Sequence, residues 1–485
     1  MKISFTSIFI FSVFIVFVTL NSCTNEKVAP DYNQFPEEVG KIMFTKCAVT
    51  GCHNSLSKGA AGDLSLESWD KLFEGGRNAL SVIPYRSDYS TMMYYVNTFS
   101  DLGVSLNPTM PYNRPSLSRE EVLVLKNWID AGAPNREGFV KFSDKPNRKK
   151  FYVTNQGCDV VTVFDQETLL PMRYVNVGNS AGIESPHNIK VSPDGQYWYV
   201  IGTGGNSIQK FRTSDDSYVG EAILGLRNWN TMTITPDGQK AFVIDWSFNG
   251  DIAEVNLQTL SVTHNLGYNN PHGSTLNSSA DTLYVTLQNS SEILKIFVND
   301  FSIDQIVNLF STPPPLSLLP HEVVFSPDGN KYFVTCQGTK ELRIFDTAND
   351  QLLATIPVGG LPSEMVVSSA YNYLFVTCPE DTVNFPGKRG SVAVIDYSTN
   401  SFVKNIYTGH QPHGIGIDED KGLVFVANRN ASSDGPAPHH LGECGGRNGN
   451  VSFIKLNTLD MLSNENGSIK KVEVSVDPYA IGVRY

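Results

Sequence analysis

The feature that most constrains this chain is a pattern repeated six times between residues 186 and 428. Three copies read PHNIKVSPDGQYWYVIG from Pro186, PHEVVFSPDGNKYFVTC from Pro320 and PHGIGIDEDKGLVFVAN from Pro412. Each is a short alternating run, a turn, and a second run marked by an aromatic residue before Val. The marker falls at Tyr199, Phe242, Tyr284, Phe333, Phe375 and Phe425, so successive copies lie 43, 42, 49, 42 and 50 residues apart. A period in the forties made of short strands and tight turns is that of a propeller blade of four strands. A seventh copy is split: DPYAIGVRY at the C-terminus supplies an inner strand and KKFYVTNQGCDVVTVFDQET (149–168) the outer ones. Pairing the two closes the ring and removes exposed strand edges. The expectation is a seven-bladed β-propeller over residues 148–485.

Aligning the copies ahead of their turns places His187, Asn230, His272, His321, Ser363, His413 and Tyr479 at one equivalent position. Inner strands line a propeller's channel, so these residues are expected to ring one mouth. Four of the chain's nine histidines fall there. The start of strand one and the loop between strands two and three share a face. The longest insertion (428–450), carrying His439, His440 and Cys444, therefore belongs beside the ring, with His410 just ahead of His413. Imidazole suits transition metals, which makes these seven histidines candidate ligands for copper or another transition-metal ion. The plainer alternative is that they hydrogen-bond the carbonyls of neighbouring blades. Cys158 and Cys444 occupy corresponding loops of neighbouring blades and are a candidate disulfide. Cys336 and Cys378 follow the blade spacing and are expected to stay unpaired.

Ahead of the repeats the pattern is different. Lys2 precedes an apolar run, IFIFSVFIVFV (8–18), too short to span a bilayer comfortably, and LNSC ends at Cys23. This reads as a secretory signal, and it resembles the lipobox of bacterial lipoproteins. That resemblance implies a signal peptide over 1–23, lipidation at Cys23, and an exported chain anchored to a membrane in a periplasmic or cell-surface compartment. A linker (24–35) follows. The formal net charge of −12 argues against a nucleic-acid partner.

Residues 36–136 read as a small helical domain, joined to the repeats by a second linker (137–147). FPEEVGKIMFTKCAVTGCHN gives an apolar helical stripe running into Cys47, followed by Cys52 and His53. In SLSREEVLVLKNWIDAGAP, Ser118 and Glu121 form a capping box, and Val122, Leu125, Trp128 and Ile129 form the buried stripe. Between them NPTMPYNRP presents Met110. Two thiols beside an imidazole, with a methionine to close the other face, form a haem c constellation of raised potential. The cysteine spacing departs from the usual attachment signature by two residues, and Gly51 gives the backbone freedom to absorb them. A Cys47–Cys52 disulfide, and Met92 or Met93 in place of Met110, are the alternatives.

The segment resembles the cytochrome c domains of the planctomycete type through Met110, Pro111, Leu117, Glu121, Leu125, Trp128, Ile129, Gly132, Ala133 and Pro134. The resemblance implies one haem c attached through Cys47 and Cys52, with His53 and Met110 as axial ligands. FYVTN at 151–155 resembles the YVTN propeller family. The His-rich mouth is similar, in geometry alone, to that of copper propellers such as nitrous-oxide reductase. The fold class expected is therefore multidomain, a small all-α cytochrome c domain followed by an all-β seven-bladed propeller. The function expected is that of an exported haem electron-transfer lipoprotein serving a redox partner protein. Its propeller is either a docking scaffold or a copper- or iron-dependent oxidoreductase of small molecules.

Overall fold

A computed structural model describes residues 31–77, 79–310, 317–438 and 444–484. Seven antiparallel four-stranded sheets follow one another around a channel. The split blade pairs Pro478–Val483 with Lys150–Asn155, then Val160–Asp165 and Leu170–Asn176. The second strands are buried almost throughout, because the flat faces of neighbouring blades leave no room for water between them. Each SPDG-type turn is closed by its aspartate: Asp194 accepts from Ser192 Oγ and Gln196 N, and Asp328 accepts from Ser326 Oγ and Asn330 N. Those carboxylates build turns.

Two devices hold the seam of the split blade. Lys150 donates to Asp216 (2.7 Å) and to the Thr213 carbonyl (2.7 Å), and Tyr152 and Trp198 also reach Asp216. Burial pushes the lysine amine down and the aspartate carboxyl up, and their mutual attraction opposes both shifts. On the other side a disulfide joins Cys158 to Cys444 across 286 residues, with Cα atoms 5.7 Å apart. Cys158→Ser with Cys444→Ser is expected to lower unfolding stability by about 2–4 kcal/mol in denaturant melts. Cys336 and Cys378 are buried free thiols.

Residues 32–149 do not stand apart as a clear all-α domain. Of their α-helices, α1 (Glu37–Ile42), α2 (Trp69–Leu72) and α3 (Thr91–Val96) are short, and α4 spans Arg119–Asp130. Loops rich in Gly, Pro and polar residues interrupt them. Only α4 is long, with the Ser118–Glu121 capping box formed and Val122, Leu125, Trp128 and Ile129 buried. One continuous core runs from Phe35, Met43, Trp69 and Trp128 into Tyr152, Val161, Val163 and Trp198 of the propeller. Arg86 fastens this layer by donating to the Tyr174 carbonyl (2.8 Å) and Asn176 Oδ1 (2.9 Å), and Tyr89 stacks on Tyr174 at 4.5 Å. Because the layer buries its apolar side against a blade, it needs no closed helical bundle of its own.

Candidate functional site

The Cys-His segment begins where α1 widens into a π-helical turn, Met43–Cys47. The loop then folds back on itself: Cys52 N donates to the Val49 carbonyl, and His53 N to the Cys47 carbonyl (3.1 Å). Gly51 takes φ +83°, the left-handed turn needed to fit the extra residues. Asn54 stitches the loop, donating to Val49 O and accepting from Leu56 N, Ser57 N and Ser57 Oγ. Lys46 reaches Glu121 at 2.6 Å, so the residue that completes the helix cap also ties this turn to α4.

Cys47 and Cys52 are free thiols. Burial pushes the Cys47 thiol up to about 12, helped by Cys52 and opposed by Lys46. Burial lowers the His53 pKa, and the nearby Leu64 carbonyl opposes the shift. Its Nδ1 is buried without a hydrogen-bond partner. Met110 is half-buried, its N–H held by the Tyr95 carbonyl, and it rests on the same core as Cys47. Met92 and Met93 are buried in α3 as core filler. Cys23, His439 and His440 lie outside the described residues.

The second candidate site is the mouth of the channel. In six inner strands the pairing register shifts beside the ring residue, as between Pro186 and Asn188 or between Trp229 and Thr231. Such bulges re-aim a side chain. Here they bring the rings into a row. Successive ring-centroid distances are 5.5 Å for Trp246–His272, 4.0 Å for His272–His321 and 6.2 Å for His321–His413. The row continues with 3.7 Å for His413–Tyr479 and 4.2 Å for Tyr479–His187. Arg429 lies over Tyr479 at 4.7 Å while paired with Asp477.

The hydrogen bonding is uneven. His187 Nδ1 accepts from the Gln156 side-chain amide (2.6 Å), whereas His272 Nδ1 donates to the His321 carbonyl of the next blade (3.0 Å), which is the plainer role. The Nδ1 atoms of His321 and His413, and both amide atoms of Asn230, are buried without partners. The Tyr479 carbonyl lies beside the His413 imidazole but outside hydrogen-bond geometry. His410 is held elsewhere, with Nε2 on Ser432 Oγ (2.7 Å) and 3.6 Å from Asp434. Among the described residues no three His, Cys, Asp or Glu side chains are grouped as metal ligands.

Two sets of residues escaped the sequence reading. Thr286, Thr335 and Thr377 donate across to the carbonyls of His321, Ser363 and His413, pinning each ring residue to the preceding blade. Their signal was the threonine two places after the aromatic marker. Glu322 and Glu364, one residue beyond the ring, have raised pKa values. Burial raises both, mutual repulsion adds for Glu322, and the Lys190 charge opposes.

Burial sets the acid limit of the ring. His272, ordinarily at 6.5, is lowered to about 4 by burial, with the His321 carbonyl opposing. Between those values the unfolded chain takes up a proton that the folded chain refuses. The contribution to stability is therefore full above pH 6.5 and is lost as pH falls towards 4. The shift corresponds to roughly 3 kcal/mol. Denaturant midpoints measured down this range are expected to fall steeply, and less steeply in His272→Gln.

No protein-family model matches the sequence, and no curated protein sequence does. The fold resembles solved propellers at low identity. Kuenenia stuttgartiensis hydrazine synthase is 15% identical over 64% of this chain and 92% of its own, with a TM-score of 0.50. A candidate 6-phosphogluconolactonase from Bacteroides uniformis is 12% identical over 70% and 99%, with a TM-score of 0.52. A functionally unknown protein from Desulfotomaculum acetoxidans is 14% identical over 68% and 99%, with a TM-score of 0.49. The first two likenesses support the propeller and say nothing about activity.

Proposed function

We propose that this chain is an exported electron-transfer lipoprotein, anchored through Cys23, whose N-terminal layer carries one haem c and exchanges electrons with a redox partner. The observation that carries the proposal is the folded loop that holds two free thiols, Cys47 and Cys52, with His53, whose Nδ1 is buried and unpartnered. The donor set fits the group: Cys47 and Cys52 would form the thioethers, and His53 and Met110 would ligate the iron. Met110 shares a core with Cys47, which supports its role. When bound, haem c supplies reversible one-electron chemistry, and a methionine ligand raises its potential. The chain's own residues orient the site. Asn54 fixes the loop, the Lys46–Glu121 pair holds it to α4, and the core under Trp128 excludes water from one side.

A redox titration of the full chain, produced in a host that matures c-type cytochromes, tests this. One reversible one-electron haem couple per chain is expected. A chain that emerges with no haem absorbance overturns the proposal.

A second reading, a small-molecule oxidoreductase acting at the mouth, draws on the unpartnered atoms of Asn230, His321 and His413. Against it, the propeller serves equally well as a docking scaffold. The electron-transfer role does not depend on that choice.

A further inference from the structure

The row of rings at the mouth has one wide step. Between His321 and His413 the centroids are 6.2 Å apart, whereas the neighbouring steps are 4.0 Å and 3.7 Å. The intervening blade contributes only Ser363 at this position, and its hydroxyl turns away to the Leu361 carbonyl (2.9 Å). The two rings that flank the step are the two imidazoles of the row whose Nδ1 atoms have no partner. Both are well buried, at 6% and 3% exposure, and a buried unsatisfied nitrogen costs about 1–3 kcal/mol. His272 and His187 have settled their Nδ1 atoms on protein groups and lie outside the step.

We infer that the step is a metal site in which His321 and His413 hold one copper(I) ion between them. An imidazole nitrogen sits about 2 Å from a bound first-row metal ion such as zinc, and a similar length to copper places the ring centroids of two opposed ligands roughly 6 Å apart. With no third His, Cys, Asp or Glu grouped with them among the described residues, the site suits an ion content with two nitrogens. Copper(I) accepts that arrangement, whereas zinc asks for four ligands. Ser363 supplies the space, the bulges before His321 and His413 aim the rings, and the hydroxyl of Thr377 fixes the His413 backbone. The inference stands apart from the haem, since none of these residues touches the Cys-His loop in any contact described above.

The test is equilibrium competition of the full exported chain for Cu+ buffered by bicinchoninate under reducing conditions. Cys47 and Cys52 are haem-bound or alkylated beforehand so that their thiols do not compete. One Cu+ per chain is expected in the native protein and in His264→Gln, an exposed outer-strand control. His321→Gln and His413→Gln are expected to weaken uptake by about 100-fold or more. Ser363→Val, which closes the step while leaving both imidazoles in place, should do the same, and it guards against loss of fold in the histidine variants. The inference is overturned if the native chain takes no Cu+ from the chelator, the result expected when ordered water alone satisfies the two nitrogens. It is equally overturned if uptake survives in both histidine variants.

Discussion

Replacing Cys47 and Cys52 together by Ala is expected to take the chain, matured in a haem c-competent host, from one covalently held haem to none. In the proposed site the two thiols would hold the group through denaturation, and the other cysteines among the described residues are committed elsewhere. Cys158 and Cys444 are paired, and Cys336 and Cys378 are buried between blades. Haem staining after denaturing electrophoresis reads the loss directly. Met110→Leu separates attachment from ligation. The stain should persist while the midpoint potential falls, because a Met/His pair raises the potential and leucine offers no lone pair. A potential unchanged by Met110→Leu would assign the distal ligand to another residue. The propeller should survive these changes, since its seam and disulfide lie away from the loop.

Asp216→Ala is expected to be the most destabilising single change in the propeller. It leaves the Lys150 ammonium, 1% exposed, with the Thr213 carbonyl in place of a counter-charge, and it removes the acceptor that Tyr152 and Trp198 share. Breaking a buried ion pair by removing one partner costs about 3–5 kcal/mol. The pair spans the seam between the split blade and the blade that follows it, where ring closure joins the two ends of the repeat array. Guanidinium unfolding of the variant measures the loss. The neighbouring Asp215→Ala is the control: Asp215 is largely exposed and bonds only its own turn, so its removal should stay within about 1 kcal/mol. Equal effects from the two substitutions would place the stability of the seam elsewhere.

Much of this was legible in the sequence because a propeller writes its period plainly. The marker aromatics, the SPDG turns and the split seventh repeat together define seven blades and their closure. The equivalence of His187, His272, His321 and His413 was also visible, since equal repeat positions occupy equal places. What could not be read was orientation. The register shifts that re-aim the ring residues, and the gap opened by a small Ser363, are three-dimensional consequences of bulging that alternation alone does not encode. His410 sits three residues from His413 yet bonds Ser432, because the strand start turns it into the insertion. The N-terminal layer misled in another way. Its helical stripes at α1 and α4 promised an independent all-α unit, yet the layer shares one continuous core with a blade, running from Phe73 and Phe142 to Tyr152 and Trp198.

One peptide decides whether Cys47 and Cys52 hold haem covalently. Trypsin cuts after Lys46 and Lys58, releasing residues 47–58 with both cysteines and His53. In chain matured by a haem c-competent host, the mass of this peptide should exceed that of its unmodified form by one haem, with no thiol left to alkylate. A peptide of unmodified mass in which both Cys47 and Cys52 alkylate, or which shows only a Cys47–Cys52 disulfide, would contradict the account.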